Sequence, residues 1–300
     1  MSKFKKLLLK FKTEKAKKPQ YRRYTRSTAG NVAYFSLLFL AGAFTILPLV
    51  YCIVTSFKPL DELLIFPPQF FVRRPTLSNY LELPALLGKI QVPVSRYLFN
   101  SLFVAFAGTS LHIFAASLAA FTFSKSKIKG RKFFFMVIQI MLLYNSVTLS
   151  VPQYLIFTNL KMIDTYWVYI LPAIPSATGC FLMKQYIDVS VPDALMEAAR
   201  IDGAGVIKMY HKVVMPILKP AWMTILLLSF QSMWTIIPSG TIFSEQLKTL
   251  PQVMSSISAG GIARSGSAMA VTVILMVPPI LVFLITQSNV METMSTSGIK

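Results

Sequence analysis

The sequence predicts an all-α integral membrane protein with six transmembrane helices and both termini in the cytoplasm. Three observations predict this class. Of the 300 residues, 54% are hydrophobic and only 14% are charged, whereas soluble domains carry about 25% charged residues. The apolar residues come in long blocks rather than at the spacing of amphipathic helices. The basic residues, which give a net charge of +19, lie beside these blocks and seldom within them.

Residues 1–30 form a polar, basic tail that holds eleven of the 30 Lys and Arg. Within it, Phe4, Leu7, Leu8 and Phe11 recur at the spacing of one helical face, with lysines between them. This spacing predicts a short amphipathic helix that lies on an anionic membrane surface. The alternative is a tail that only keeps the N-terminus inside the cell.

Six apolar stretches follow the tail, each long enough for the about 20 helical residues that cross a bilayer core. They lie near residues 31–55, 97–123, 133–158, 166–187, 219–240 and 267–287. The fourth contains Pro172, Pro175 and Gly179, which predict either a kinked helix beside a pathway or a bent packing helix. Residues 31–290 are therefore the predicted transmembrane domain, and residues 291–300 a cytoplasmic C-terminal tail.

The Lys and Arg residues of the loops predict the orientation of the spans. With the N-terminus inside, 22 of them lie on the cytoplasmic side and 8 on the outer side. The positive-inside rule then places both termini in the cytoplasm. Because no basic face interleaved with aromatics runs along the chain, we expect no nucleic-acid partner, and we assign the basic clusters to topology and to contact with membrane lipid.

The predicted cytoplasmic loop 188–218 carries the most information about function. Ser190 and Asp193 have the spacing of a capping box, and Pro192 suits the first turn of a helix. These residues predict a helix over 191–201.

A turn and a second helical segment follow in the same loop. Gly203 is expected to end the first helix, because glycine readily adopts the left-handed conformation at a helix C-terminus. The second segment is expected to run from Val206 to Pro216. Small side chains that permit close approach and charges suited to an interface occupy this region: Ala198, Ala199 and Ala204, with Glu197, Arg200 and Asp202. Docking of a partner is one interpretation, and a solvated connector between spans is the other.

The same loop resembles that of a known family. Its residues Glu197, Ala198, Ala199, Asp202, Gly203, Ala204 and Pro216 are similar to the EAA loop of the membrane subunits of bacterial ABC importers. The run from Leu160 to Pro172 and the pair Leu250-Pro251 resemble the carbohydrate branch, the MalG-type permeases. The run from Thr286 to Lys300 resembles permeases that Gram-positive bacteria encode with systems for complex-polysaccharide use. The resemblance covers about residues 30 to 290.

The resemblance implies a fold, a set of partners and a mechanism. The fold would be that of a type I ABC importer permease in the bacterial plasma membrane. A second homologous permease, forming a heterodimer, two cytoplasmic ABC ATPase subunits and an extracellular solute-binding lipoprotein would be the partners. The EAA loop would seat on an ATPase, with Glu197 paired to a basic residue, Gly203 providing the turn, and Ala198 and Ala199 the close approach. The C-terminal region near Gly298 would also reach the ATPase.

The chain contains no Gly-x-x-x-x-Gly-Lys-Ser/Thr phosphate loop. The resemblance therefore implies that a partner ATPase binds ATP-Mg. We expect no catalytic residue, metal site or cofactor in this chain.

Polar side chains within the spans are the candidates for contact with a transported sugar, because such residues usually face a cavity or another helix. They are Tyr144, Asn145 and Gln153 on the third span and Gln231, Ser232 and Trp234 on the fifth. Interhelical hydrogen bonds are the alternative role for each.

Three function hypotheses follow from these observations. The first is an ABC importer permease for a sugar, in particular an oligosaccharide from polysaccharide breakdown. The second keeps the permease but changes the solute to an amino acid, a peptide or an anion. The third is a membrane-embedded enzyme or sensor-like scaffold, which the spans disfavour because they hold no paired carboxylates, His pair or serine with a base.

Overall fold

A computed structural model describes residues 28–88, 92–144, 146–238, 240–261 and 264–297. Every regular element in these ranges is a helix. The longer helices are α1 (Thr28–Ser56), α5 (Val94–Lys125), α6 (Arg131–Met141), α7 (Ser150–Asn159), α9 (Ala177–Ser190), α10 (Asp193–Ile201), α13 (Lys219–Trp234), α14 (Leu250–Ser258) and α15 (Ser265–Ser297). The short helices are α2 (Leu60–Leu63), α3 (Ser78–Leu81), α4 (Leu83–Gly88), α8 (Trp167–Ile170), α11 (Val206–Met209) and α12 (Met215–Ile217). The amphipathic helix predicted around residues 4–11 and the tail around Gly298 lie outside the described residues.

The chain divides into two units, Met1–Val50 and Tyr51–Lys300. In the first unit, the described residues form the part of α1 that ends at Val50, and their sequence is apolar around the whole helix. One of the few hydroxyls in it, Thr45 Oγ1, donates to the carbonyl of Gly42 at 2.9 Å. A helix that is apolar on every side suits a lipid environment.

The second unit is built around α5, which packs against α9 and α13, while α13 also packs against α15. Glycines permit the close approach of these helices. A Cβ on Gly108 of α5 would lie 3.0 Å from the Met233 sulfur of α13, and one on Gly179 of α9 would overlap the His112 ring. Small residues at helix contacts are typical of membrane proteins, where close backbone approach increases van der Waals packing.

Three of the described helices are long and apolar enough to cross a membrane: α1, α5 and Ser265–Met291 of α15. The pair Val206–Ile217 and α13, bent by 78°, would make a fourth if it counts as one span. These helices contain the predicted first, second and sixth spans in full, and the fifth up to Trp234 of its predicted end at residue 240. The total of six spans and the orientation of the termini stay predictions.

The predicted third and fourth spans are not continuous helices. In the third, a 3-10 turn at Ser146–Leu149 separates α6 from α7, and the local sequence is rich in Ser, Thr and Asn, which favour turns over helix interiors. The fourth has a break between the 3-10 turn Leu171–Ala173 and α9. Pro172 and Pro175 supply no N–H to the helix there, so the break lies where the prolines predict a kink.

Candidate functional site: the 188–218 loop and an intramembrane cavity

The 188–218 loop begins differently from the prediction. Helix α9 continues to Ser190, and α10 begins at Asp193 with Pro192 at its N-cap and no side-chain cap. The predicted capping box is therefore wrong. The Asp193 carboxylate instead accepts a hydrogen bond from Lys125 Nζ at 2.7 Å, which lowers the pKa of Asp193. Because both partners are charged, this is a charge-assisted hydrogen bond.

Gly203 ends α10 in the left-handed conformation, with φ at +73°. The Gly203 N–H donates to the Arg200 carbonyl at 3.0 Å, and the Ala204 N–H donates to the Ala199 carbonyl at 2.9 Å. This bond pair is that of a Schellman motif, which requires a left-handed residue at this position. A Cβ on Gly203 would meet no atom within 4 Å, so the requirement for glycine is conformational rather than steric.

A hydrophobic cluster, here called the loop-anchoring cluster, holds the inner face of the loop on the helix bundle. Its buried members come from α5, α9, the loop and α13: Ala116, Ala120, Phe121, Met183, Ile187, Val191, Met196, Met209, Tyr210, Val214, Leu218, Ala221 and Ile225. Met196 is the inward side chain of α10 and only 5% exposed, a burial that stabilises by about 1.5–3 kcal/mol. Inside the cluster, the Tyr210 hydroxyl bonds Ser117 Oγ at 2.6 Å. Helix α10 is thus held by Met196 in the shared cluster and by the Asp193–Lys125 ion pair to α5.

The second helical segment of the loop is not a regular α-helix. Between α11 and α12, residues Tyr210–Val214 form a π-helical turn. Such turns occur frequently at functional sites. Here the turn places Tyr210 and Val214 together in the loop-anchoring cluster, so the wider helical repeat serves the attachment of the loop.

The outer face of the loop is exposed and partly apolar. Glu197 and Ala198 are exposed on α10, and within the described residues the Glu197 carboxylate has no hydrogen-bond or ion-pair partner. Ile201 is 86% exposed and Ile207 is 76% exposed, on either side of the Gly203 turn. Exposed large hydrophobic side chains beside unpaired charge are typical of a protein interaction surface.

The predicted loop residues divide between the two faces. Glu197, Ala198, Asp202, Gly203 and Pro216 are exposed. Ala199 and Ala204 are half-buried and pack against the loop-anchoring cluster, so their small size serves the packing of the loop on its own bundle.

Sequence reasoning missed Ile201 and Ile207 as members of the outer face. The signal was present, since each is a large apolar residue close to a polar glycine turn. Only burial in the folded protein distinguishes them from Met196 and Met209, which are also apolar but are buried on the inner face of the loop.

A second feature is a cavity of about 430 Å³ among α5, α9 and α13. Its lining is mostly apolar, with five polar side chains: His112, Ser176, Thr178, Ser229 and Ser232. No charged residue lines the cavity in the part of the chain that the structure describes. Such a lining can offer hydrogen bonds to a neutral polar solute and offers no charge to an ion.

The kink in the fourth span orients His112. Its Nδ1 lies 3.0 Å from the Ala173 carbonyl oxygen and 3.4 Å from that of Ile174, both at the break before α9. Since carbonyl oxygens only accept, Nδ1 carries the proton, and in the neutral ring Nε2 is an acceptor. The break therefore positions a polar ring in the cavity wall, a role that the prolines alone could not indicate.

The predicted pathway residues of the fifth span separate in the structure. Ser232 lines the cavity, whereas the preceding residue Gln231 is exposed and does not line it. Trp234 is 2% exposed and donates from Nε1 to the Leu275 carbonyl at 2.8 Å. Trp234 therefore makes an interhelical hydrogen bond between α13 and α15.

The candidates of the third span lie away from the cavity. Tyr144 is exposed before the break between α6 and α7, and Gln153 is half-buried in α7. Asn145 lies outside the described residues. His112, Ser229 and Thr178, which line the cavity, were not among the sequence candidates, although a histidine and hydroxyls within apolar spans are the type of signal that had selected the others.

Comparison with known proteins gives a family. Residues 112–295 match the family described as binding-protein-dependent transport system inner membrane component. The sulfoquinovosyl glycerol transport system permease protein SmoH of Agrobacterium fabrum is 30% identical, over 88% of this chain and 91% of that protein. The arabinooligosaccharides transport system permease protein AraQ of Halalkalibacterium halodurans is 26% identical, over 85% and 91%. The sn-glycerol-3-phosphate transport system permease protein UgpE of Yersinia enterocolitica is 30% identical, over 67% and 73%.

A solved structure has the same fold. It is the crystal structure of a bacterial ABC transporter involved in the import of the acidic polysaccharide alginate. The match has a TM-score of 0.70 at 22% identity and covers 88% of this chain and 98% of that one. The family match and the relative at 30% identity both extend over more than half of the chain. The chain therefore belongs to the binding-protein-dependent transport system inner membrane component family: it is a multi-pass permease component of a bacterial ABC importer in the plasma membrane, and ATP hydrolysis belongs to a separate subunit.

Proposed function

We propose that this permease carries a sugar, and in particular an oligosaccharide from polysaccharide breakdown, into the cell. Two of the relatives support a carbohydrate, because they serve the transport of sulfoquinovosyl glycerol and of arabinooligosaccharides. The cavity among α5, α9 and α13 supports it as well, since its hydroxyls and His112 can bond the polar rim of a sugar while its walls stay uncharged.

The proposed architecture has six spans with both termini in the cytoplasm. Residues 31–290 form the permease domain, and the 188–218 loop is its cytoplasmic coupling element. The assembly contains a second homologous permease, two ABC ATPase subunits that bind ATP-Mg, and an extracellular solute-binding lipoprotein. The charge distribution of the loops and the family membership support this arrangement.

The outer face of α10 carries the coupling mechanism. Glu197 pairs with a basic residue of the ATPase, while Ile201 and Ile207 enter an apolar groove on it. Because the Asp193–Lys125 ion pair and the loop-anchoring cluster connect α10 to α5, a displacement of α10 by the ATPase moves α5 with it. Helix α5 contributes His112 to the cavity wall, so closure of the ATPase dimer alters access to the cavity. The exposed, partly apolar outer face above a buried inner face is the observation on which this mechanism depends.

The proposed pathway contacts include the polar residues of the cavity wall. Ser232 lies on the α13 side of it, and Gln231, Tyr144, Asn145 and Gln153 are proposed as contacts elsewhere on the path. Trp234 contributes by holding α13 against α15.

The coupling role of Glu197 can be tested in the reconstituted complex with its partner permease, ATPase and lipoprotein. Glu197→Gln removes the charge while keeping the shape of the side chain, and we expect a loss of sugar-stimulated ATP hydrolysis. The matched control is Glu82→Gln, another exposed glutamate, located between α3 and α4. If both variants hydrolysed ATP at the wild-type rate with sugar present, the coupling role would be wrong.

The second candidate function is transport of a non-sugar solute, and one observation favours it: a relative serves sn-glycerol-3-phosphate transport. An anion pathway would normally place Arg or Lys within the spans, which the cavity wall lacks. A calorimetric screen of the cognate lipoprotein against oligosaccharides, amino acids, peptides and organic phosphates separates the two. Binding of an organic phosphate in preference to every neutral sugar would contradict the carbohydrate assignment.

A further inference from the structure

A basic pocket of about 370 Å³ lies among the ends of α5, α6 and α9, next to the attachment point of the coupling loop. Three cationic side chains line it, together with two aromatic rings and three other polar residues: Arg131, Lys132 and Lys184, Phe123 and Phe135, and Ser124, Gln139 and Asp188. The combination of cations with an aromatic wall at the end of apolar helices has no role in the proposed coupling mechanism.

Two of the three cations of the pocket are held in place. Arg131 Nη1 donates to the carbonyls of Ser124 at 3.1 Å and Ser126 at 2.7 Å, which fixes the guanidinium at the end of α5. Lys184 Nζ lies 4.4 Å from the centre of the Phe135 ring and 2.5 Å from Asp188 Oδ2. Such preorganisation reduces the entropy that a bound ligand would have to offset.

The charge of the pocket is unbalanced. Asp188 is the one carboxylate among the described residues of its lining, and it already accepts hydrogen bonds from Lys184 and from Ser124 Oγ. Lys132 is exposed and has no ion pair in the part of the chain that the structure describes. The excess of two positive charges, with donors from a guanidinium and two ammonium groups, matches a phosphate diester or monoester.

Position identifies the source of that phosphate as a lipid. The α6 side chains that follow Lys132 along the chain are apolar and exposed: Phe133, Phe134, Met136 and Ile140. Acyl chains can therefore lie along α6 while the headgroup occupies the pocket. Basic pockets between membrane helices on the cytoplasmic side are suited to anionic headgroups.

We propose that this pocket binds the headgroup phosphate of an anionic phospholipid. Ser124, in the pocket wall, directly precedes Lys125, whose ammonium group holds Asp193 of α10. A lipid bound here stabilises the end of α5 to which the coupling helix is attached. The effect on coupling rests on the proposed function, whereas lipid binding does not.

Lipid binding can be measured on the full chain, purified in detergent and mixed with phosphatidylglycerol or phosphatidylcholine, with native mass spectrometry to count retained lipid. We expect retention of phosphatidylglycerol in preference to phosphatidylcholine. Lys132→Gln should weaken it about five-fold, since each basic residue near an anionic lipid contributes about 1 kcal/mol. The matched control is Lys127→Gln, an exposed lysine of the connection between α5 and α6 that does not line the pocket.

Two further measurements keep the test decisive. Lys132 has no described structural contact, and thermal unfolding of the variant at the wild-type temperature shows that its fold is intact. Addition of millimolar glycerol phosphate as a competitor distinguishes a lipid headgroup from a free phosphate. If the lipid stays bound, the pocket is a lipid site; if the lipid is completely displaced, the proposal is overturned in favour of a site for a free anion. Equal retention by Lys132→Gln and Lys127→Gln overturns the proposal, as does a Lys132 effect confined to binding of the ATPase. Sugar-stimulated ATP hydrolysis in phosphatidylcholine vesicles tests the proposed function separately.

Discussion

A substitution at Gly203 tests the backbone conformation of the turn without introducing a steric clash. At Gly203, φ is +73°, and no atom lies within 4 Å of the position that a Cβ would occupy. Gly203→Ala therefore creates no clash, but an L-residue in the left-handed conformation costs about 1–2 kcal/mol. The lower entropy of the unfolded chain with alanine recovers about 0.4–1 kcal/mol of this. The net cost of about 1 kcal/mol lowers the population of the native turn relative to altered turns about five-fold.

Gly205 provides the matched control two residues later. It is also exposed and also has no atom within 4 Å of a Cβ, but its φ is −68°. For Gly205→Ala we expect a change near zero, because the weak N-cap preference for glycine offsets the gain in the unfolded chain. Gly203→Asn should lose less than Gly203→Ala, since asparagine tolerates the left-handed conformation.

The assay is sugar-stimulated ATP hydrolysis by the reconstituted complex, with thermal unfolding of the chain as a parallel measurement. We expect Gly203→Ala to reduce stimulation while Gly205→Ala retains it. Equal activity of the two alanine variants would contradict this account, because it would show that the left-handed turn is not required in the docked loop. Equal loss in both would contradict it too, since then the glycines would act through size.

Three further predictions concern the attachment of the loop, the packing of α9 on α5 and the docking surface. Lys125→Met removes the partner of the exposed Asp193 carboxylate. Because the pKa of Asp193 is lowered in the folded protein, the ion pair stabilises the fold at pH values above the usual carboxylate pKa, and this contribution is lost as the pH falls through the lowered pKa. The wild-type protein should therefore unfold at a higher temperature than the variant at neutral pH, and the difference should narrow in acid. Gly179→Ala forces a Cβ into the His112 ring, and we expect a destabilisation of about 1–3 kcal/mol in denaturant unfolding; an unchanged midpoint would show that α9 and α5 separate freely. Ile207→Ser should weaken capture of the ATPase subunit without lowering the unfolding temperature, because its side chain is already exposed; wild-type capture would place the docking surface elsewhere.

The positions of the helices could be predicted where one physical signal dominates. The first, second and sixth spans are long and strongly apolar, and the structure has single helices there even though Pro48 lies inside α1 and Pro278 and Pro279 lie inside α15. The third and fourth predicted spans mix apolar residues with turn formers and prolines. Whether a helix continues or breaks in such a segment depends on which neighbouring side chain bonds its free backbone carbonyls. For the Ala173 carbonyl that side chain is His112, which is 61 residues away in sequence.

The 188–218 loop shows the same division within one short segment. The amino-acid sequence alone was enough to predict that a helix ends at Gly203, because glycine at that position is a local conformational requirement, and the pattern from Glu197 to Ala204 was enough to indicate the family. Packing of the helices, by contrast, sets which side of that helix faces outward: Met196 is buried and Ile201 is exposed, although both are apolar. The same packing brings Lys125 of α5 to Asp193, so that Asp193 forms an ion pair with it and not a capping box. Local conformation follows from the residue itself, whereas burial and ion pairing follow from the helices that pack against it, and those come from distant parts of the chain.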